Sequence, residues 1–344
     1  MRPFTLERAE DPGRALDLGG GEPDARARMQ YLAGGTNLLD LMKLDVMRPE
    51  RLVEINGLKA QHGAIEADAD GLRLGALVRM SQAADHPLIR RDYPVLSDAL
   101  WQAASPQLRN MASLAGNVLQ RTRCNYFRDT TWGACNKRTP GSGCAAREGV
   151  NRRLAILGVS EHCIANYPGD FANALVALGA EVEVLGVDGQ SRVMPLEDLH
   201  RLPGETPHIE TNLEPGELIT GFRAPAGPWT RRSLYVKVRD RDSYDFALAS
   251  AAVALDLGPD QEVRCARIGI GGLVAKPWRS HEAEAVLTGR RLDEQSAREA
   301  AEAALAGAVV HSETGFKPEL GRLTLVRALL EAARMEVASK EIAP

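Results

Sequence analysis

No apolar run in this sequence approaches the roughly 18 residues that a membrane-spanning helix requires, so no bilayer span is expected. A basic excess is missing as well. The 42 Lys and Arg face 46 Asp and Glu, a net charge of −4, and proteins of nucleic acids or membrane surfaces ordinarily show the opposite balance. The first residues, Met1, Arg2, Pro3 and Phe4, lead into neither a long apolar stretch nor a small-residue cleavage site. No export signal is read there, and the expected address is the cytoplasm. Catalytic signatures are absent too: there is no H-E-x-x-H pair, no C-x2-C pair, no G-x-G-x-x-G turn and no Ser-His-Asp or paired-carboxylate pattern. The seven His residues are therefore read as surface or turn residues.

What is present is a soluble globular composition, 44% hydrophobic and 26% charged, in a chain of 344 residues that can build two or three lobes. The first segment reads as β-α-β-α-β: a helix near Pro12–Leu18, a strand at Met29–Ala33, a helix capped by Thr36, and a strand at Arg51–Ile55 closed by Asn56-Gly57. From about Leu58 the pattern turns antiparallel, with strands at Ala64–Glu66 and Leu72–Leu74. A helical stretch follows at Leu88–Ala104, then a strand at Met111–Val118, a helix at Phe171–Gly179 and a strand at Glu181–Leu185. Pro225, Gly227 and Pro228 form the clearest linker. Beyond it, strands at Ser233–Val238, Ala249–Asp256 and Val263–Ile270 precede helices at Glu282–Leu287, Ser296–Leu305 and Leu323–Val337. The expected fold class is α+β, with lobes at 1–57, 58–224 and 229–338.

Two small-residue turns stand out. Ala33-Gly34-Gly35-Thr36-Asn37-Leu38 joins a strand to a helix, where free backbone N–H groups and a missing Cβ suit a phosphate. Ser113-Leu114-Ala115-Gly116-Asn117 is a second turn of this kind, read as following a strand. Either could be an ordinary connection; together they could grip one diphosphate.

The cysteines are the other irregularity. Four of five (Cys124, Cys135, Cys144, Cys163) lie within 40 residues, in a stretch from 119 to 160 without convincing periodicity. Long structureless segments inside a compact domain are commonly functional. The spacing Cys124-x10-Cys135-x8-Cys144-x18-Cys163 fits neither a zinc ribbon nor a bacterial ferredoxin run. Four thiolates nonetheless form a complete shell for a [4Fe–4S] cluster, or for one zinc ion. From Arg121 to Arg153, eight Lys and Arg face only Asp129 and Glu148, a local charge of +6 that would offset a thiolate-ligated cluster. Cys163 opens an expected strand toward Tyr167, and Cys265 is read as a buried free thiol.

In these motifs the sequence resembles the FAD-binding middle subunits of molybdenum hydroxylases, the xanthine dehydrogenase and carbon monoxide dehydrogenase group. That family carries an A-G-G-T-D/N-L-L turn, matched by Ala33 to Leu39, and a T-I-G-G-N turn, matched loosely by Ser113 to Asn117 with Ala115 replacing a Gly. A K-x-R…D-x-A segment is matched by Lys237, Arg239, Arg241, Asp245, Phe246 and Ala247. The resemblance implies FAD, its diphosphate on the two turns and its ring facing the C-terminal lobe. It implies a role at the cofactor for Asp170, in the context Tyr167-Pro168-Gly169-Asp170. A positive group such as Lys237 would favour reduced flavin. Tyr244 and Phe246 either shield the ring or pack.

Simpler members of the family have only a few residues between the second turn and that Pro; here 50 separate Asn117 from Pro168. The surplus is the cysteine stretch, about 119–164, which resembles the [4Fe–4S] insertion of bacterial aldehyde oxidoreductases. The resemblance also implies a large molybdenum-cofactor subunit and a small [2Fe–2S] subunit as partners, and an external electron acceptor. Co-export to the periplasm with a signal-bearing partner is compatible with it. The rival reading is a self-sufficient flavin oxidase or dehydrogenase with zinc in the cysteine loop.

Overall fold

The computed structural model describes residues 1–19 and 25–337. The expected C-terminal limit at 338 lies one residue outside the described part, and residues 20–24 of the first lobe are outside it too.

The first lobe is a small parallel sheet. Strands β1 (Thr5–Arg8), β2 (Met29–Leu32) and β3 (Arg51–Glu54) pair in the order β1-β3-β2, with helices α1 (Pro12–Leu18) and α2 (Leu38–Lys43) as connections. Pro12 fixes the start of α1, and the Asp11 side chain accepts from Arg14 N at 2.8 Å. Helix α2 does not use Thr36 as its cap. Asn37 occupies that position, and its side chain makes no capping bond.

After the short helix α3 (Lys59–His62), the second lobe builds a five-stranded antiparallel sheet from β4 (Ile65–Ala67), β5 (Gly71–Gly75), β6 (Glu181–Leu185), β7 (Ser191–Pro195) and β8 (Leu218–Pro225). Its order is β4-β5-β8-β6-β7. Between β5 and β6 run α4 (Met80–Asp85), α5 (Pro87–Asp92), α6 (Pro94–Trp101), α7 (Pro106–Met111), α8 (Leu114–Val118), α9 (Asn125–Arg128) and α10 (Asp170–Ala177); α11 (Leu196–Leu199) precedes β8. Pro87, Pro94 and Pro106 each sit in a first helical turn and cut the stretch into separate helices. Met111–Val118 is not a strand. Ser113 caps α8 instead, accepting from Gly116 N at 3.2 Å, because its hydroxyl satisfies a first-turn N–H that a strand would direct sideways.

The C-terminal lobe is an antiparallel sheet, β12-β11-β10-β9, made of β9 (Ser233–Val238), β10 (Ala249–Leu257), β11 (Val263–Gly271) and β12 (Trp278–Arg279). Helices α12 (His281–Leu287), α13 (Glu294–Leu305) and α14 (Lys317–Ala333) follow. Strand β9 ends at Val238, so Arg239 and Arg241 do not share a strand face with Lys237 as expected.

Helix α10 joins the lobes. All eight of its residues are buried. A Cβ on Gly269 would lie 2.4 Å from Asn173 O, and one on Gly271 would lie 2.0 Å from Asn173 Nδ2, so these bare positions of β11 let the helix backbone settle on the strand. At its first turn Asp170 Oδ2 accepts from Lys237 Nζ at 2.7 Å, with the two side chains 5% and 1% exposed. Asp170 Oδ1 accepts from Tyr235 Oη at 2.7 Å, and Lys237 also donates to Gln102 O at 3.0 Å. Both charges are thus matched where water cannot reach them. Lys237→Met strands the Asp170 carboxylate and is expected to cost about 3–5 kcal/mol, read as a lower thermal unfolding midpoint. The double variant Asp170→Asn/Lys237→Met should recover part of that loss; an equal loss in both would show that the pair does not carry the joint.

Candidate functional site: a cleft beside a cysteine pocket

A cleft of about 320 Å³ opens between the first two lobes and is bounded by part of the cysteine insertion. Ala33, Gly34, Gly35, Thr36, Asn37 and Leu38 form one wall, and Ser113, Ala115 and Gly116 another. Gly34 lies against the second lobe so closely that a Cβ would stand 2.0 Å from Met111 O, and Gly35 has φ +72°. Both positions require glycine. Asn56 Nδ2 donates to Ala33 O at 3.1 Å, and Arg79 Nη2 to Asn56 Oδ1 at 2.8 Å, which fixes the turn from behind.

The two turns differ in what they offer. Among the described residues, the backbone N–H groups of Gly34, Gly35, Thr36, Asn37 and Leu38 donate to no protein acceptor. In the second turn, Leu114 N donates to Val78 O at 2.9 Å, Ala115 N to Ala76 O at 3.0 Å and Asn117 N to Ser113 O at 2.9 Å. The first turn is therefore a set of open donors, whereas the second gives mainly a close, side-chain-poor surface. Asn117 does not line the cleft, although its buried Oδ1 is without a partner among the described residues.

Asn37 and Arg121 line the same region. Asn37 Oδ1 accepts from Arg121 N at 3.1 Å, leaving Asn37 Nδ2 and Arg121 Nη2 buried and unpaired among the described residues. Such groups are costly to bury without a partner. His200, expected at the surface, is buried in the cleft wall. Its Nε2 stands 3.1 Å from Val118 O, and burial pushes its pKa down to about 4, so the ring is neutral near pH 7. His62 also lines the cleft. Sequence reasoning missed Arg121 and both histidines as cleft residues, since no local pattern marks them and only the fold brings them there.

Asp170 and Lys237 are brought together, but not into the cleft lining. Phe246 lies beneath the Arg123 guanidinium, 5.0 Å from its centre, and does not line the cleft either.

The insertion brings Cys124, Cys135, Cys144 and Cys163 to the wall of one small neighbouring pocket, with Phe127, Asn136, Lys137, His162 and Ala165. Gly141 and Gly143, with φ of +80° and +94°, turn the chain so that Cys135 and Cys144 face each other across an isolated bridge. Asn136 pins that turn, its Oδ1 accepting from Gly143 N at 2.8 Å and its Nδ2 donating to His162 O at 3.0 Å. Arg138 Nη1 donates to Tyr126 O at 2.7 Å and to Phe127 O at 2.9 Å. Cys163 begins no strand; it sits in an isolated bridge with Ser160, and the chain onward to Tyr167 is irregular. Cys265 is half-buried in β11, away from this pocket.

Burial pushes the Cys124 thiol up to about 12 and raises Cys135 and Cys163 as well. Among the described residues, no three His, Cys, Asp or Glu side chains are grouped closely enough to hold a single metal ion.

A largely buried row of charges lines the cleft beside the cysteine pocket. Lys137 Nζ donates to Glu210 Oε1 at 2.8 Å, and Arg121 Nε to Glu210 Oε2 at 2.5 Å. Burial works against the carboxylate, but Arg121 and Lys137 outweigh it and hold the Glu210 pKa down at about 2.

Residues 3–227 match the FAD binding domain in molybdopterin dehydrogenase, and residues 234–337 match the CO dehydrogenase flavoprotein C-terminal domain. The chain belongs to this family of FAD-binding oxidoreductase subunits. It is 47% identical over 332 residues to the aldehyde oxidoreductase FAD-binding subunit PaoB of Escherichia coli strain K12, covering 96% of this chain and 99% of that one. It is also 26% identical over 262 residues to the carbon monoxide dehydrogenase medium chain of Afipia carboxidovorans, covering 76% and 73%. In fold it is similar to a chain of quinoline 2-oxidoreductase from Pseudomonas putida 86, with a TM-score of 0.72 at 21% identity over 97% of this chain and 98% of that one. No helix among the described residues is long and apolar enough to cross a membrane.

A carboxylate with a depressed pKa contributes stability that is complete above its unfolded value and disappears as the pH falls through its folded value. The advantage of the native protein over Glu210→Gln is accordingly expected to be about 2–3 kcal/mol near neutrality. It should shrink from about pH 4.5 toward pH 2, as urea unfolding of both proteins across that range would show.

Proposed function

We propose that this chain is the FAD- and [4Fe–4S]-carrying electron-transfer subunit of a heteromeric molybdenum hydroxylase, with an aldehyde as the substrate class. The observation that carries this reading is adjacency. A cleft with five consecutive open N–H groups and a pocket walled by four cysteines share Lys137 and Ala165 as lining residues. The aldehyde assignment rests on the 47% identity to PaoB, whose name describes an aldehyde oxidoreductase.

In this reading the FAD diphosphate lies on the open N–H groups of the turn from Ala33 to Leu38, Ser113, Ala115 and Gly116 form the second wall, and Asn117 stands behind that wall. Asp170 and Lys237 act from behind, by fixing the C-terminal lobe against α10, rather than by contact. Phe246, held under Arg123, belongs to the loop that follows β9. The lobes are taken as residues 1–57, 58–224 and 229–338, with the insertion at about 119–164. The flavin, when bound, supplies the exchange between two-electron and one-electron chemistry. The protein's own residues bind it, keep water from its phosphates and fix the charge around it.

Four thiolates around one pocket would supply a cubane with one ligand for each iron. The partners are a large molybdenum-cofactor subunit and a small [2Fe–2S] subunit, with an external acceptor taking the electrons. The self-sufficient zinc-containing flavoenzyme has no observation in its favour.

Metal, acid-labile sulfide and flavin analysis of the anaerobically purified complex tests this. Cys124→Ser should remove about four irons and four sulfides per complex while leaving most of the FAD in place. Zinc without sulfide in the native pocket would sink the cluster assignment.

A further inference from the structure

Lys137 and Ala165 are the two residues that line both cavities. Ala165 presents only a methyl group, whereas Lys137 presents a charge. That charge is held in one place. Nζ donates to Glu210 Oε1 at 2.8 Å and to Pro207 O at 2.9 Å, and the side chain is only 12% exposed. Its backbone is fixed from the other direction, two residues beyond Cys135, where Arg138 N donates to Cys135 O at 3.0 Å. The far oxygen of Glu210 accepts from Arg121, which lies over the Phe127 ring at 4.8 Å and also lines the cleft. All three charged side chains line the cleft, and Lys137 alone of them also lines the cysteine pocket.

Resting on the [4Fe–4S] reading above, we infer that Lys137 is a positioning residue that sets the redox balance between the two cavities. Its fixed ammonium favours the more negative, reduced state of the centre held by the cysteines, and Glu210, its ion-pair partner, offsets part of that charge. Reduction of such a centre adds one electron and one unit of negative charge. Lys137 neither gives nor takes a proton in that change. A cation at the wall of a poorly hydrated pocket is weakly screened, so its presence or absence alters the two oxidation states unequally. Glu210 ties this charge to a loop outside the insertion, and Arg121 ties it to the Gly-rich turn through Asn37.

Potentiometric titration of the complete complex with dithionite, followed by electron paramagnetic resonance and visible absorption, reads this directly. The signal of the cysteine-held centre is identified by its absence from the Cys124→Ser complex. Lys137→Met, with iron, sulfide and flavin contents equal to wild type, is expected to lower the midpoint potential of that centre and to move the flavin less. Lys137→Arg should restore most of the shift. Glu210→Gln, which leaves the ammonium uncompensated, should move the same midpoint upward. An unchanged midpoint in fully loaded Lys137→Met overturns the inference and leaves the cluster reading standing. Where Lys137→Met does not load, an unchanged midpoint in Glu210→Gln overturns it instead. Absence of acid-labile sulfide from the native pocket overturns the cluster reading and this inference together.

Discussion

Seating α10 directly on β11 is the contact from which the rest of the molecule takes its register. It depends on the absence of two side chains, at Gly269 and Gly271, and on one buried ion pair, Asp170 with Lys237. Because the helix is buried on all sides, the second lobe's core continues into the C-terminal sheet, with Tyr235, Ala252 and Ala254 in the same cluster as Phe171 and Phe222. The end of the insertion is stitched to the same joint: Ile156 N and Leu157 N donate to Leu273 O, and Tyr167 N donates to Val274 O at 2.9 Å. A shift of α10 would thus move the exit of the cysteine segment and one wall of the cleft together.

The basic character of the insertion acquires a different meaning once the fold is known. From composition it suggested a positive shell around a cluster. In the structure most of those charges face acids of other segments. Arg123 and Arg128 bind Asp40 on α2, Arg152 and Arg153 bind Asp240 and Asp245 in the loop after β9, and Arg121 and Lys137 bind Glu210. Arg147 pairs with Glu161, which leaves Arg138 to serve backbone carbonyls. The stretch is basic because it clamps three regions of the chain. Lys137 alone among these side chains lines the cysteine pocket.

Much of this was legible in advance, for identifiable reasons. The strands and helices of the C-terminal lobe announce themselves by period, and Gly34-Gly35 stand out as a turn, although the missing Cβ of Gly34, read as room for a ligand, makes way for Met111 of the second lobe. The four thiols share a pocket as their clustering suggested. What failed was local chemistry read without its neighbours. Ser113 looked like the end of a strand because Met111 to Val118 is short and apolar, a pattern that does not separate strand from helix. Arg239 and Arg241 looked like strand partners of Lys237, but β9 ends one residue earlier. Glu210 and His200 carry no signal at all in the sequence, because their importance comes from contacts with residues 73 to 89 positions away.

The stem of the insertion bears on how such a segment can vary. Thr122 Oγ1 donates to Asn166 O at 2.8 Å, and Tyr167 Oη donates to Val118 O at 2.7 Å, so the chain leaves and rejoins the fold through a closed neck. Doubling the length of a closed loop costs only about 0.6 kcal/mol in chain entropy. Length is therefore cheap for this segment and its neck is not. What the loop has to preserve is its cover over Leu41 and Met42, which share one apolar cluster with the cysteines. Lineages can lengthen, shorten or re-equip the loop within that limit while the cleft walls on either side keep their geometry.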